Sequence, residues 1–326
     1  MNSTLSTNAN GQPTSNPPLL GDGILGFIIF DLVIGTIITV ANTFLFVTIY
    51  RDPCRCLRTP SVFLIANLSV ADFLMGIVSY LRAVGRIYSY CGLGSIFIVN
   101  ISQFLLGALS VLAAGLSLVA MSYERYIAVI KPLEYPRKIS NRRAKIGIAV
   151  IWINALVLSV LPVSGLPSEL FSLIYCYSHF AIPAIALTAV YIKISKTVAL
   201  QRQELKDVRA SLTEANRRKQ LERENRMFTA FVLILLVFYL SFFPYFIRAH
   251  ILYFFSCRTS LACDVYYHIT NALLSVSSVL DPFMYAWRLP KFKRSFRLCF
   301  SLCRGRSLVV PFDRTTSFYQ NQTIFH

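Results

Sequence analysis

Charge is scarce in this chain. Only 14% of its 326 residues are Asp, Glu, Lys or Arg, while 55% are hydrophobic. A water-soluble domain usually carries about a quarter charged residues, so most of this surface faces something other than water. Acids are the rarer sign, 15 against 32 basic residues. The four histidines, His179, His250, His268 and His326, have no metal-ligand spacing, which argues against a metallo-hydrolase and against enzymes generally. No internal repeat is evident, and seven apolar stretches divide poorly into halves, which disfavours a transporter. The segment before Gly21 holds no basic residue. A cleaved signal peptide is therefore not expected, and the first apolar stretch is read as a signal anchor.

What is present is a set of long apolar runs. A helix needs about 20 predominantly apolar residues to cross hydrocarbon, and seven segments qualify: 24–50, 60–83, 95–124, 144–165, 170–194, 227–253 and 264–287. No charge falls between Ile87 and Tyr123. The fold class that follows is an all-α membrane protein, a seven-transmembrane helix bundle. Its divisions are a disordered extracellular tail over 1–22, the bundle over 23–289, a short membrane-parallel eighth helix over 290–304 and a cytoplasmic tail over 305–326.

Orientation follows from the basic residues. Apart from Arg82, Arg86, Arg248 and Arg258, all of the 32 lie in the connections after spans 1, 3 and 5 or in the tail, leaving 28 on that side. The N-terminus is therefore expected outside, with the chain crossing the plasma membrane repeatedly. The net charge of +17 is a topology signal and not a nucleic-acid footprint. A basic inner face also attracts anionic lipid headgroups and acidic partner surfaces. From Lys193 to Arg226 the chain has no Pro or Gly, so charged helix is expected to extend span 5 and span 6 beyond the bilayer.

Cysteines divide by side. Cys257 and Cys263 share one short outer loop and are expected to bridge, whereas the pairing of Cys91 with Cys176 is left open. Cys299 and Cys303, in a basic stretch after span 7, suit palmitoylation. Asn67 and Asn100 begin glycosylation-like triplets, but Asn67 is inside a span and Asn100 near the start of one.

Polar groups inside spans are costly and mark function. Asn42, Asp72, Ser277, Ser278 and Asp281 fall at depths that could form one polar cluster, suited to water or a sodium ion. No other cofactor is expected. At the inner end of span 3, Glu124-Arg125-Tyr126 places an Arg beside apolar helix. Glu124 and Glu224 are its expected acid partners, and such a pair would form a two-state latch between helices 3 and 6. The plainer reading of Arg125 is interfacial snorkelling. Pro162, Pro183, Pro244 and Pro282 interrupt spans 4 to 7, and a bend at Pro244 behind Phe242 could turn ligand contact into inner displacement.

These elements resemble the rhodopsin-like (class A) G-protein-coupled receptors over residues 24–303. Asn42, Asn67-Leu-Ser-Val-Ala-Asp72 and Glu124-Arg125-Tyr126 look like the motifs of helices 1 to 3; Trp152, Pro183 and Tyr191 match those of helices 4 and 5. Ser241-Phe242-Phe243-Pro244 is similar to the helix 6 switch, and Asp281-Pro282-Phe283-Met284-Tyr285 to the helix 7 motif. The resemblance implies G-protein coupling through Glu124, Arg125, Tyr126, Tyr191, Glu224, Phe242, Pro244, Asp281, Pro282 and Tyr285, with arrestin as a second partner. Phe242 stands where Trp is usual, and Ala114 where a sodium-ligand Ser is frequent. Asn100 replaces the outer helix 3 cysteine, which with the short outer loop and the Cys257–Cys263 pair resembles the melanocortin-like branch; Pro183 departs from it.

Span 7 has no Lys for a retinal imine, and Gly107 stands where amine receptors carry Asp. The expected ligand contacts are Gln103, Gly107, Phe242, Tyr245, Arg248, His268 and Asn271. A mildly basic mouth favours an acidic or neutral ligand among peptides, lipids and nucleosides. The alternatives are a membrane transporter or an atypical amine receptor.

Overall fold

The computed structural model describes residues 18–52, 57–93, 95–161, 165, 168–206, 229, 232–233, 235–251, 254, 261–288 and 295. Every regular element among them is helical. Helix α1 is Pro18–Arg51, α2 Pro60–Tyr90, α3 Phe97–Ile130 and α4 Asn141–Val160. Helix α5 comprises two segments, Ser168–Cys176 and Ile182–Lys206, joined by a π turn over Tyr177–Ala181. Helix α6 is Leu235–Ile251 and α7 is Leu261–Arg288.

These seven helices are the seven expected spans. Each of α1 to α4, and α5 over Ile182–Leu200, is long and apolar enough to cross a membrane. Several boundaries run past the expected ones: α1 begins at Pro18, α2 continues to Tyr90 and α5 to Lys206. The last extension is the charged helix anticipated beyond the bilayer. Glu224, Cys257, Cys299, Cys303, Pro162 and the proposed eighth helix, apart from Ser295, lie outside the described residues, as do the tails before Pro18 and after residue 304.

Helix α2 packs against α1, α3, α4 and α7, while α3 also meets α4 and α5, and α1 closes the ring against α7. Apolar side chains such as Val40, Ile153 and Ile185 remain exposed, and hydrocarbon is the solvent that makes such exposure favourable. With lipid as apolar as leucine, helix association relies on close fit. At the α1–α2 crossing that fit comes from Gly35 and Gly76: a Cβ at Gly35 would lie 3.1 Å from Ser79 Cβ. A Cβ at Gly76 would strike Thr39 Oγ1, a hydroxyl already donated to the Gly35 carbonyl at 2.7 Å.

Two prolines shape the helices around the site. Pro183 cannot donate a backbone hydrogen bond, and the turn just before it widens into a π turn, with the Ile182 amide reaching the Tyr177 carbonyl. Pro282 sits buried inside α7, directly after Asp281.

Gly76→Leu is expected to push α1 from α2 and destabilise the bundle by about 1–3 kcal/mol. Gly147→Ala, whose Cβ would meet nothing within 4 Å, is expected to leave it unchanged. Thermal unfolding of the detergent-purified proteins separates the two outcomes.

Candidate functional site

The end of the bundle at which α1 begins is here called outer. Between α2, α3, α5, α6 and α7 at that end lies a cavity of about 510 Å³. Of the residues expected from sequence to contact a ligand, Gln103, Gly107, Phe242, Tyr245, Arg248 and Asn271 line it. His268 does not. It is drawn aside by Arg86, 2.8 Å from its Nδ1, and stacks on Phe27 with ring centroids 4.5 Å apart.

Arg86 belongs to a buried ion cluster that sequence reasoning overlooked. Asp31 of α1, only 2% exposed, receives the Arg82 Nε at 3.3 Å and pairs with Arg86 Nη1. Arg82 Nη2 also donates to Ser79 at 2.9 Å and to Ser275 of α7 at 2.5 Å. The signal was present in the sequence, since Asp31 is the single charged residue between Asp22 and Arg51. An acid there needs a cationic partner on a neighbouring helix. Arg82 also lines the cavity, with Tyr175 and Tyr267 as further unanticipated contacts. Arg248 lies between two rings, its guanidinium carbon 4.8 Å from the Tyr245 centroid and 4.8 Å from that of Tyr267.

Phe242 forms the floor. It stacks on Phe180 at 6.0 Å and meets Phe238 at 4.3 Å, so three rings of α5 and α6 form one packed unit. Beneath it lies a second cavity of about 20 Å³, lined by Asp72, Ser277, Ser278 and Asp281 together with Phe242 itself. Phe242, with Met75, Val111 and Leu274, lines both cavities and so stands between the outer cavity and the polar cluster. Asn42 ties α1 to that cluster by donating to the Ser278 carbonyl at 3.0 Å. Asp72 interacts with both Ser278 and Asp281. Just below, Asn67 links three helices, donating to Ser117 at 2.7 Å and accepting from Trp152 Nε1 at 2.7 Å. Its glycosylation-like triplet is therefore a buried coincidence. Pro244, two residues beyond Phe242, has its carbonyl held by the Tyr266 hydroxyl at 2.8 Å.

At the inner end, Arg125 and Glu124 are both buried and form a forked pair, with Nε and Nη2 each 2.6 Å from a carboxylate oxygen. Ser61 of α2 accepts from Arg125 Nη2 at 2.7 Å and donates to Glu124 at 2.9 Å. The Tyr135 hydroxyl, from the turn after α3, donates to Glu124 at 2.6 Å. Burial first, and then the Glu124 charge, holds the Tyr135 phenol above its ordinary range, so it stays a donor. Arg125 is therefore held within a built network and not merely snorkelling. Glu224, its other expected partner, lies outside the described residues. Tyr191 receives a long hydrogen bond from Ser122, 3.4 Å, and Tyr126 packs separately against Val129, Ile194 and Val198. The Tyr285 side chain is likewise outside the described residues.

The cysteines require one correction. Cys91 and Cys176 are both free, the first exposed where α2 ends and the second buried in α5, so no bridge joins them. Cys263 is disulfide-bonded.

With this geometry in place, comparison with known proteins is informative. Residues 41–285 match the 7 transmembrane receptor (rhodopsin family). Human (Homo sapiens) melanocortin receptor 5 is 25% identical over 295 residues, covering 87% of this chain and 86% of that protein. Human trace amine-associated receptor 9 is 26% identical over 294 residues, 80% of each. Melanopsin of Podarcis siculus is 24% identical over 320 residues, 88% of this chain but 64% of that protein. The chain thus spans less than two thirds of that melanopsin's length, and of the Felis catus melanopsin's, at 61%.

Removing one partner of a buried ion pair strands the other, at a cost of about 3–5 kcal/mol. Asp31→Asn is therefore expected to lower thermal stability and surface expression sharply. Glu134→Gln, which breaks the exposed pair with Lys138, is expected to change neither.

Proposed function

Because the chain belongs to the rhodopsin family of seven-transmembrane receptors, we propose that it is a plasma-membrane receptor that passes ligand binding on to a heterotrimeric G protein. In this reading the N-terminus is extracellular, the ligand occupies the 510 Å³ cavity and arrestin is a second inner partner. The observation that carries it is the placement of Phe242, which lines both the outer cavity and the polar cavity beneath it. A ligand pressing on Phe242 moves α6 at the level of Pro244, and displacement of α6 opens the inner face beside Arg125.

The latch gives this motion a threshold. The Glu124–Arg125–Ser61–Tyr135 network ties α3 to α2 and to the turn after α3, and a partner that takes Arg125 must break it, while the tie from α3 to α6 would fall to Glu224. Hydrogen bonds to charged groups contribute about 1.5–3 kcal/mol each, enough to hold the open form as a minor population.

The ligand class is a peptide, lipid or nucleoside of neutral or acidic character. The similarity to trace amine-associated receptors favours an amine, but the described residues lining the cavity include no carboxylate to hold an ammonium group. Nor does α7 offer a lysine for an imine.

The polar cavity suits one sodium ion held directly by protein oxygens. Asn42 Oδ1 and Asp72 Oδ2 are buried with no hydrogen-bond partner, and 20 Å³ admits one water-sized occupant. Ala114 lines the same cavity without an oxygen ligand, so the ion would rest on Asp72 and its serine neighbours.

In cells expressing the receptor, Arg125→Ala is expected to abolish basal and ligand-driven G-protein activation. Glu124→Gln is expected to raise basal activation about fivefold, the lower end of ordinary coupling energies. Signalling through every G-protein class that was indifferent to Arg125→Ala would sink the receptor mechanism. For the ion, sodium replacing choline is expected to raise the unfolding temperature of wild type and not of Asp72→Asn. Equal shifts in both would remove the sodium site.

A further inference from the structure

The side chains described at the outer end of the bundle include three guanidiniums and the carboxylate of Asp31. Asp31 pairs with both Arg82 and Arg86, so one positive charge of that cluster stays uncompensated among the described residues. Arg248 adds another. The rings of Tyr245 and Tyr267 hold its plane by cation–π contact and it also hydrogen-bonds the Tyr245 side chain, but neither contact supplies an acceptor to Nε. Its Nε is indeed buried with no hydrogen-bond partner. A guanidinium fixed in position, short of acceptors and at a cavity wall is organised to receive an anion.

We propose that the outer cavity binds a small anionic amphiphile, a single carboxylate or phosphate monoester carried on an apolar body, with the anion forked on Arg248. This deepens the receptor reading and rests on it for the consequence of binding, though not for binding itself. Arg82 shares the cavity wall but has Nε and Nη2 committed to Asp31, Ser79 and Ser275. Its part is the positive potential around the anion. Gln103 and Asn271, also at the wall, offer further amide donors. The remainder of the lining dictates the body: Val111, Phe242 and Leu274 present only hydrocarbon. A bare inorganic anion would satisfy Arg248 and leave that surface empty, whereas a molecule with an apolar body fills it and reaches Phe242. A volume of 510 Å³ suits a small molecule. An ammonium ligand would face two guanidiniums, Arg82 and Arg248, and an uncharged one would leave Arg248 Nε as it is.

The test uses purified full-length receptor in detergent and two bodies, decyl and naphthyl. Each carries in turn a carboxylate, a phosphate monoester, a primary amide or a primary amine. Unfolding temperature is read for wild type, Arg248→Gln and Arg248→Lys. At least one anionic compound is expected to raise it by about 2 °C or more in wild type, while its amide and amine do not. A shift with only the carboxylates or only the phosphates identifies the anion's source, and a shift with both leaves the proposal standing. Arg248→Gln is expected to lose the shift; Arg248→Lys, which keeps charge without the fork, is expected to retain less than half of it. The proposal is overturned by amides or amines matching the anions, by no anionic compound shifting wild type, or by an undiminished shift in either variant. If Arg248→Gln does not fold, Arg248→Lys decides. Arg125→Ala, at the opposite end of α3, separates the two readings. Lost signalling in that variant without any anion-dependent shift removes the ligand class alone. An anion-dependent shift with signalling indifferent to Arg125→Ala removes the receptor reading alone.

Discussion

Hydrocarbon offers no hydrogen-bond partner, so a polar side chain within a span must find one on another helix or go unsatisfied. That requirement decides how these helices meet. Asp31 binds α1 to α2, and Arg82 carries the link to Ser275 on α7. Asn42 joins α1 to α7 again at Ser278, and Asn67 gathers α3 and α4 onto α2 through Ser117 and Trp152. Apolar packing alone would let any of these helices rotate about its axis at little cost, because lipid contacts replace protein contacts of the same kind. The polar links fix rotation, and close approach at Gly35 and Gly76 fixes separation. Helix α2 is central because it carries a member of nearly every link.

Against that rigid half, the α5–α6 side is held differently. Its contacts are mainly aromatic: Phe180, Phe238 and Phe242 pack together, and Tyr177 and Phe246 continue the stack outward. The hydrogen bonds there run through Tyr239 to the Ala184 carbonyl and through Tyr177 to His250, near the bends at Pro183 and Pro244. Ring contacts tolerate sliding that a forked ion pair does not. The bundle therefore divides into a pinned half, α1 to α4 with α7, and a half able to shift. The cavity lies between them, so a ligand there touches both.

This division explains what the sequence could and could not disclose. The spans, their order and the costly polar residues inside them were legible because each follows from a strong local rule. Those rules are the length of apolar runs, the distribution of Lys and Arg, and the cost of Asp72, Arg125 or Asp281 in a helix. The free thiols of Cys91 and Cys176 were not legible, because connectivity depends on distances between loops. Nor was the fate of His268, which depends on Arg86 preferring it from another helix. Tyr135 and Ser61 escaped notice for a similar reason: a hydroxyl near an interface carries no penalty that flags it. Asp31 is the instructive omission. It obeys the same rule as Asp72, but its partners are arginines of α2 and not a second acid.

The two ends of the bundle use the same chemistry with opposite stoichiometry. At the inner end one arginine, Arg125, faces its adjacent carboxylate, and Ser61 and Tyr135 fill the remaining sites on Glu124. A network so nearly satisfied is closed on itself, and a partner must compete for Arg125 against bonds already made. At the outer end Asp31 is shared by two arginines while a third lies between aromatic rings. Nothing described there completes the neutralisation, and in a low-dielectric setting an excess of positive charge is costly to maintain. An anion at the outer end would satisfy Arg248 Nε, whereas the inner network is already satisfied until it is opened. Coupling them through Phe242 sets a favourable event outside against an unfavourable one inside, which is the condition for a ligand to shift a two-state equilibrium.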